Sequence, residues 1–135
     1  MKKGLQNIVA FTVIASLGCI QPVWSQVSFN RGVYNFGYLQ LGKPATGIFL
    51  VTNNGKKRIA IEKTWAGCGC TTPKASATSI APGQTIKLAV TYNAGAEETF
   101  LKEVYLKFKE IDNIYVLRVK GTVLNQIDYR AKFPK

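Results

Sequence analysis

Between Thr85 and Tyr92 the chain alternates without a break. Ile86, Leu88, Val90 and Tyr92 fall on one parity, and Thr85, Lys87, Ala89 and Thr91 on the other. Successive side chains of an extended backbone point to opposite faces, so this rhythm predicts a strand with one buried face. Thr99 to Lys109 repeats it with Phe100, Val104, Leu106 and Phe108 in phase; Lys102 shares that phase as an exception. Ile114 to Val123 repeats it again, with Tyr115, Leu117, Val119, Gly121 and Val123 opposite Arg118 and Lys120. No window after residue 26 holds a long apolar stripe of period 3.6, so an all-β chain is expected.

Shorter blocks complete the set. Val27 to Tyr38 is a first strand region. Ala45 to Thr52 is apolar on both parities at Ile48-Phe49-Leu50-Val51, as suits a central strand covered at least in part on both sides. Asn53-Asn54-Gly55 marks a turn, because Asn and Gly tolerate positive φ. Lys56 to Trp65 follows, with Ile59 and Ile61 on one face, Glu62 on the other and Trp65 on the Ile59 side. Thr71-Thr72-Pro73 leads to a weak edge strand over Ala75 to Ile80, and Ala81-Pro82-Gly83-Gln84 has the form of a type II turn. Six strands and a weak seventh in about 100 residues predict an antiparallel, immunoglobulin-like β-sandwich.

The 135 residues are expected to hold one domain behind a leader. Met1-Lys2-Lys3 is a basic start, Ile8 to Ile20 is an uncharged apolar run, and Val23-Trp24-Ser25 offers a cleavage point. Residues 1–25 are therefore expected to be a signal peptide. The run falls short of the ~20 residues that span a bilayer. Ser16-Leu17-Gly18-Cys19 also resembles a bacterial lipoprotein signal, which would place a lipid, and with it a membrane anchor, on Cys19. Cleavage after Ser25 is the reading adopted. It leaves a domain over 26–124 and a basic, patternless tail over 125–135, expected to fray or lie on the surface. The protein is expected to be exported, to the periplasm or beyond the cell.

Losing Lys2 and Lys3 lowers the formal charge from +11 to +9. Lys87, Lys102, Lys107 and Lys120 stand singly along strands, and the densest run, Lys56-Lys57-Arg58, sits on a turn. Scattered lysines describe solvated faces and guarded sheet edges rather than a nucleic-acid site, so no nucleic-acid partner is expected. The chain contains no His, and no phosphate loop or nucleophile elbow. Glu97 and Glu98 adjoin in a loop as solvated acids. No enzyme activity and no cofactor are expected.

Reactive side chains crowd together at one place, Cys68-Gly69-Cys70, between two strand blocks. On a straight strand these two Cα atoms stand about 6.6 Å apart, at the outer edge of disulfide geometry. A bend at Gly69 shortens the gap. Three readings follow. The pair is a local staple, which is preferred; it is a thiol–disulfide exchange site, with Lys102 lowering a thiol pKa if it reaches the loop; or two thiolates bind a soft ion such as Cu(I) or Zn. The last lacks ligands within one chain, since zinc takes four and neither His nor Met is at hand, although a dimer could pool two pairs. No metal site is expected. Trp65 is a ligand platform or, preferably, a core residue, and Lys102 a loop neighbour or a snorkelling surface lysine.

Phe36-Gly37, Asn53-Asn54-Gly55, Cys68-Gly69-Cys70-Thr71, Ile80-Ala81-Pro82-Gly83, Phe100-Leu101-Lys102 and Val119-Lys120-Gly121-Thr122-Val123 occur in this order. In these the chain resembles the bacterial exported domain-of-unknown-function family fifteen-seventy-three, common in Bacteroidetes and related to the immunoglobulin-like domains of ASPM, SPD-2 and Hydin proteins. The resemblance covers nearly all of residues 30 to 123, and Cys-Gly-Cys-Thr is its most specific part. It departs at Lys107 to Asn113, where the family has a shorter Ser-Asn-type hairpin. The resemblance implies the sandwich fold and export, and supplies no activity. The role expected is a non-enzymatic binding or structural module of the bacterial envelope. Its partner, a protein or envelope component, would meet the Cys-Gly-Cys loops or add a strand to an open edge. A thiol-redox or soft-metal accessory is the alternative.

Overall fold

The alternating segments fold as strands of a two-sheet sandwich, one in the first sheet and two in the second. The computed structural model describes residues 25–135; the expected leader and Cys19 lie outside the described residues. In chain order the strands are β1 (Val27–Phe29), β2 (Val33–Gln40), β3 (Ala45–Asn53), β4 (Ile59–Ala66), β5 (Thr71–Ala75), β6 (Ser79–Ile80), β7 (Thr85–Tyr92), β8 (Thr99–Phe108) and β9 (Ile111–Leu124), followed by helix α1 (Gln126–Lys132). One sheet runs β1-β3-β7-β5 and the other β2-β9-β8-β4-β6.

The in-phase residues meet between the sheets. Phe49, Val51, Leu88, Val90, Val104, Leu106, Phe108 and Val119 have no more than 1 % of their surface exposed. Each buried aliphatic or aromatic residue contributes about 1.5–3 kcal/mol, so this layer dominates the stability of the domain. Tyr92 and Phe100 stack within it at 3.8 Å between ring centroids. Gly121, in phase with Val119 and Val123, leaves room for this ring: a Cβ there would lie 2.9 Å from Phe100 and from the Gly37 carbonyl.

Several expectations are corrected. Nine strands form rather than about seven, because two expected segments each split across the sheets: Val27 to Tyr38 breaks at Asn30-Arg31-Gly32 into β1 and β2, and in place of a single edge strand over Ala75 to Ile80 stand β5 (Thr71–Ala75) and β6 (Ser79–Ile80). β2 runs parallel to β9, so the sandwich is mixed rather than wholly antiparallel. Its register shifts between Asn35 and Tyr38, where Gly37 takes φ +69°. Thr71-Thr72-Pro73, expected only to lead to the edge strand, already belongs to β5; proline is tolerated there because β5 is a sheet edge, where an outward position needs no N–H. Ile48 and Leu50 of β3 are more than a third exposed, so this central strand is covered on one face only. Ala81–Gln84 does close as expected, with Gly83 at φ +76° and its successor's N–H bonded to Ala81 O.

The tail lies on the surface, one of the two outcomes expected of it, but as a helix rather than a frayed end. Asn125 caps it: its Oδ1 accepts the Asp128 N–H at 2.9 Å, and Asp128 Oδ2 accepts from Asn125 Nδ2 at 2.7 Å. Phe133 packs edge-on to Tyr38, and Lys132 Nζ lies 4.0 Å above the Tyr38 ring, which holds α1 against β2. No described helix is long and apolar enough to cross a membrane.

Candidate functional site

β4 belongs to one sheet and β5 to the other, so residues 67–70 carry the chain across the end of the sandwich. Backbone bonds pin the crossing at both ends. The Gly67 N–H donates to Glu103 O on β8 at 3.3 Å, and the Asn93 N–H at the end of β7 donates to Cys70 O at 2.9 Å. The Thr71 N–H closes a turn onto Cys68 O at 3.5 Å. Within it Cys68 and Cys70 form a disulfide, with their Cα atoms 5.3 Å apart. The shortening comes from a bend, as a straight strand could not give it. Gly69 is not among the residues with positive φ, and a Cβ built on it meets nothing within 4 Å, so the bend does not depend on glycine.

The two sulfurs have different surroundings. Cys70 packs against the hydrophobic core. Cys68 lines an open groove of about 380 Å³ with Gly67, Leu101, Lys102, Glu103 and Tyr105. Below them sits Thr71, only 4 % exposed, whose hydroxyl lies 3.7 Å from Cys68 Sγ and 3.6 Å from Cys70 Sγ. In the bonded pair neither sulfur is a thiolate. No three His, Cys, Asp or Glu side chains gather into a metal-holding group among the described residues.

Lys102 does border the loop, but its ammonium is engaged elsewhere. Nζ lies 3.3 Å from Glu98 Oε1, which also accepts the Tyr92 hydroxyl at 2.6 Å. The Tyr92 hydrogen bond, followed by that of Lys102, lowers the Glu98 pKa. Burial chiefly, then the Glu98 carboxylate, pushes the Tyr92 phenol far above its ordinary range. Glu103 is likewise held low, first by the Tyr105 hydroxyl and then by Arg118, whose Nη2 is 2.9 Å away. Thus Glu98, though still more than a third exposed, is paired rather than merely solvated, and so is Glu103.

Trp65 is not in the core. β4 carries a bulge between Ile61 and Lys63, so that Ile61 faces Phe108 but Lys63 faces Lys107. The extra residue, Glu62, reverses the parity, as one inserted residue must. Trp65 therefore stands half-buried on the outer face, stacked on its cross-strand partner Tyr105 at 5.2 Å, with Lys63 Nζ 5.3 Å from its ring. Tyr105, not Trp65, borders the groove. Sequence reasoning placed none of Leu101, Glu103, Tyr105 and Thr71 at the site, and named Leu101 and Thr71 only as members of the motifs that carry the resemblance. The first three were legible as the outward parity of β8; their place beside the cysteines follows only from the pairing of β4 with β8.

A family model described as a protein of unknown function (DUF1573) matches residues 27–123. No curated protein matches the sequence. Among solved structures, a protein of unknown function from Porphyromonas gingivalis is similar with a TM-score of 0.63 at 13% identity, over 75% of this chain and 50% of that one. The VesB protease of Vibrio cholerae gives 0.60 at 15% identity, over 72% of this chain and 32% of that one. The human CEP192 ASH/PapD-like domain 7 gives 0.56 at 9% identity, over 78% and 93%. At such identities the likeness is one of fold, and the fold is immunoglobulin-like. The chain spans half or less of the length of the first two proteins.

Proposed function

Because the chain belongs to the DUF1573 family of proteins of unknown function, we propose from its site alone that it is a non-enzymatic binding module of the bacterial cell envelope, whose protein partner engages the groove beside Cys68. The observation that carries this is Leu101. It is a large apolar side chain, 60 % exposed, on a rigid central strand at the rim of an open groove. With Tyr105 it lines one groove, and an exposed apolar patch rimmed by polar groups marks a protein-interaction site. Lys102, Glu103 and Arg118 supply that rim.

Two further features support the non-enzymatic reading. The chain has no histidine to serve as a base near neutral pH. The carboxylates nearest the groove are occupied in pairs that hold them ionised. The basic, apolar start of the sequence and a disulfide in the domain support the envelope as its place.

The test is site-specific crosslinking in cells. A photoreactive residue at Leu101 is expected to capture one defined envelope protein; the same residue at Ile48, on the far sheet, is not. Leu101→Asp should abolish the interaction, and replacing both cysteines by serine should leave it. Equal capture from both positions, or none from Leu101, removes the reading.

A further inference from the structure

Beyond binding, we propose that the Cys68–Cys70 bond is a thiol–disulfide exchange site that oxidises dithiols in a protein or peptide partner, with Cys68 the sulfur attacked and Cys70 the sulfur that leaves. The bond does little to hold the loop. Gly67 and Cys70 are tied by main-chain bonds to Glu103 and Asn93, and β5 pairs with β7 from Thr71 onward. The ring that it closes has a sequence separation of only 2, where the chain-entropy gain is smallest.

The surroundings give the pair a direction. Cys68 lines the open groove, which is the side from which an incoming thiolate meets it, and a Cβ built on Gly67 or Gly69 beside it touches nothing within 4 Å. Cys70 is backed by the core. The buried Thr71 hydroxyl has only the two sulfurs as side-chain partners among the described residues. A hydroxyl donates weakly to a disulfide and strongly to a thiolate, so Thr71 stabilises the sulfur as it leaves. Lys102 cannot be the main source of that stabilisation, because Glu98 offsets its charge.

The step balances as follows. A partner thiolate attacks Cys68 Sγ; the Sγ–Sγ bond breaks and its electron pair goes to Cys70 Sγ, held by Thr71 until it takes a proton. The partner's second thiolate then attacks the partner sulfur of the mixed disulfide and expels Cys68, which takes the second proton. Two electrons and two protons pass from the partner's dithiol to this chain, and one turnover needs no other reactant.

The probe is a short unstructured peptide with two cysteines, reduced, mixed with the bonded protein and acid-quenched for mass spectrometry. The expected result is a transient adduct on Cys68, then one equivalent of oxidised peptide, with the circular dichroism of the domain unchanged. Thr71→Val should slow the exchange roughly ten-fold, the effect of one charge-assisted hydrogen bond, and Thr71→Ser should restore it. Resistance of the bond to excess peptide overturns the proposal, as do adducts equally divided between the two cysteines. So does a Thr71→Val protein that folds and exchanges at the parent rate; should that variant not fold, adduct mapping on the parent chain decides alone. The crosslinking result at Leu101 does not depend on any of these outcomes.

Discussion

Replacing Cys68 and Cys70 by serine separates what the fold needs from what the site does. The bond closes a ring of three residues. On the chain-entropy relation such a ring removes about 5 cal/mol/K from the unfolded chain, or roughly 1.6 kcal/mol at 25 °C. A single buried residue such as Leu88, 1 % exposed, contributes as much or more. Unfolding about 110 residues carries an entropy near 0.23 kcal/mol/K, so the double variant should melt about 7 °C lower than the parent. Its far-ultraviolet spectrum should keep its β character. Differential scanning calorimetry at neutral pH, with both proteins alkylation-checked for thiols, reads the shift directly. A variant that is unfolded at 25 °C, or a loss beyond about 20 °C, refutes the reasoning, because the pair would then be part of the core's foundation rather than an attachment at one end. Such a result would also remove the basis of the exchange proposal, which requires the domain to stay folded with the bond open.

Two other perturbations test the buried polar groups. Asn53 is wholly buried; its Nδ2 donates to Lys57 O at 2.7 Å and Ile80 O at 2.9 Å, and its Oδ1 accepts the Gly55 N–H at 2.9 Å. Asn53→Asp turns a carboxylate oxygen toward two carbonyls and should cost about 3 kcal/mol or more, lowering the urea midpoint by at least about 1 M; a shift under half a molar contradicts it. Tyr92 titrates later in the folded state than in the unfolded one, so its contribution is whole below its ordinary pKa of about 10 and is lost as pH rises past that value. The parent's melting temperature should therefore fall between about pH 9.5 and 11, and Tyr92→Phe should flatten much of that fall, leaving a remainder from Tyr105 and Tyr115, whose pKa values are also raised; superimposable pH profiles for parent and variant would count against the assignment.

The sheets were legible wherever the parity of the sequence was undisturbed. β7 and the buried half of β9 carry one side chain per step inward, and Ile86, Leu88, Val90, Leu117, Val119 and Val123 are buried as the alternation requires. What parity cannot say is which strand lies beside which. The parallel pairing of β2 with β9 depends on the break at Asn30–Gly32, and nothing local separates one interrupted strand from two strands in different sheets. The capping of α1 was legible: Asn125 followed three residues later by Asp128 is a helix start. The helix that follows was not, because seven residues offer too little apolar periodicity and Ile127, 81 % exposed, gives no inward stripe.

The site turns on one residue of the same kind. Glu62 and Lys63 are consecutive charged side chains inside an apolar block, and both are exposed. Strict alternation would bury one of them; the bulge spares both and shifts every later residue to the other face. With that shift, small Ala66 turns inward opposite Val104, and Trp65 turns out onto Tyr105. The chain then leaves the sheet at Gly67 beside Glu103 rather than one step later, which brings Cys68 against Leu101, Lys102 and Tyr105. The adjacency of the cysteines to the exposed strand of β8 is thus a consequence of where two charges refuse burial, and the charges, not the cysteines, are the part of the sequence that sets it.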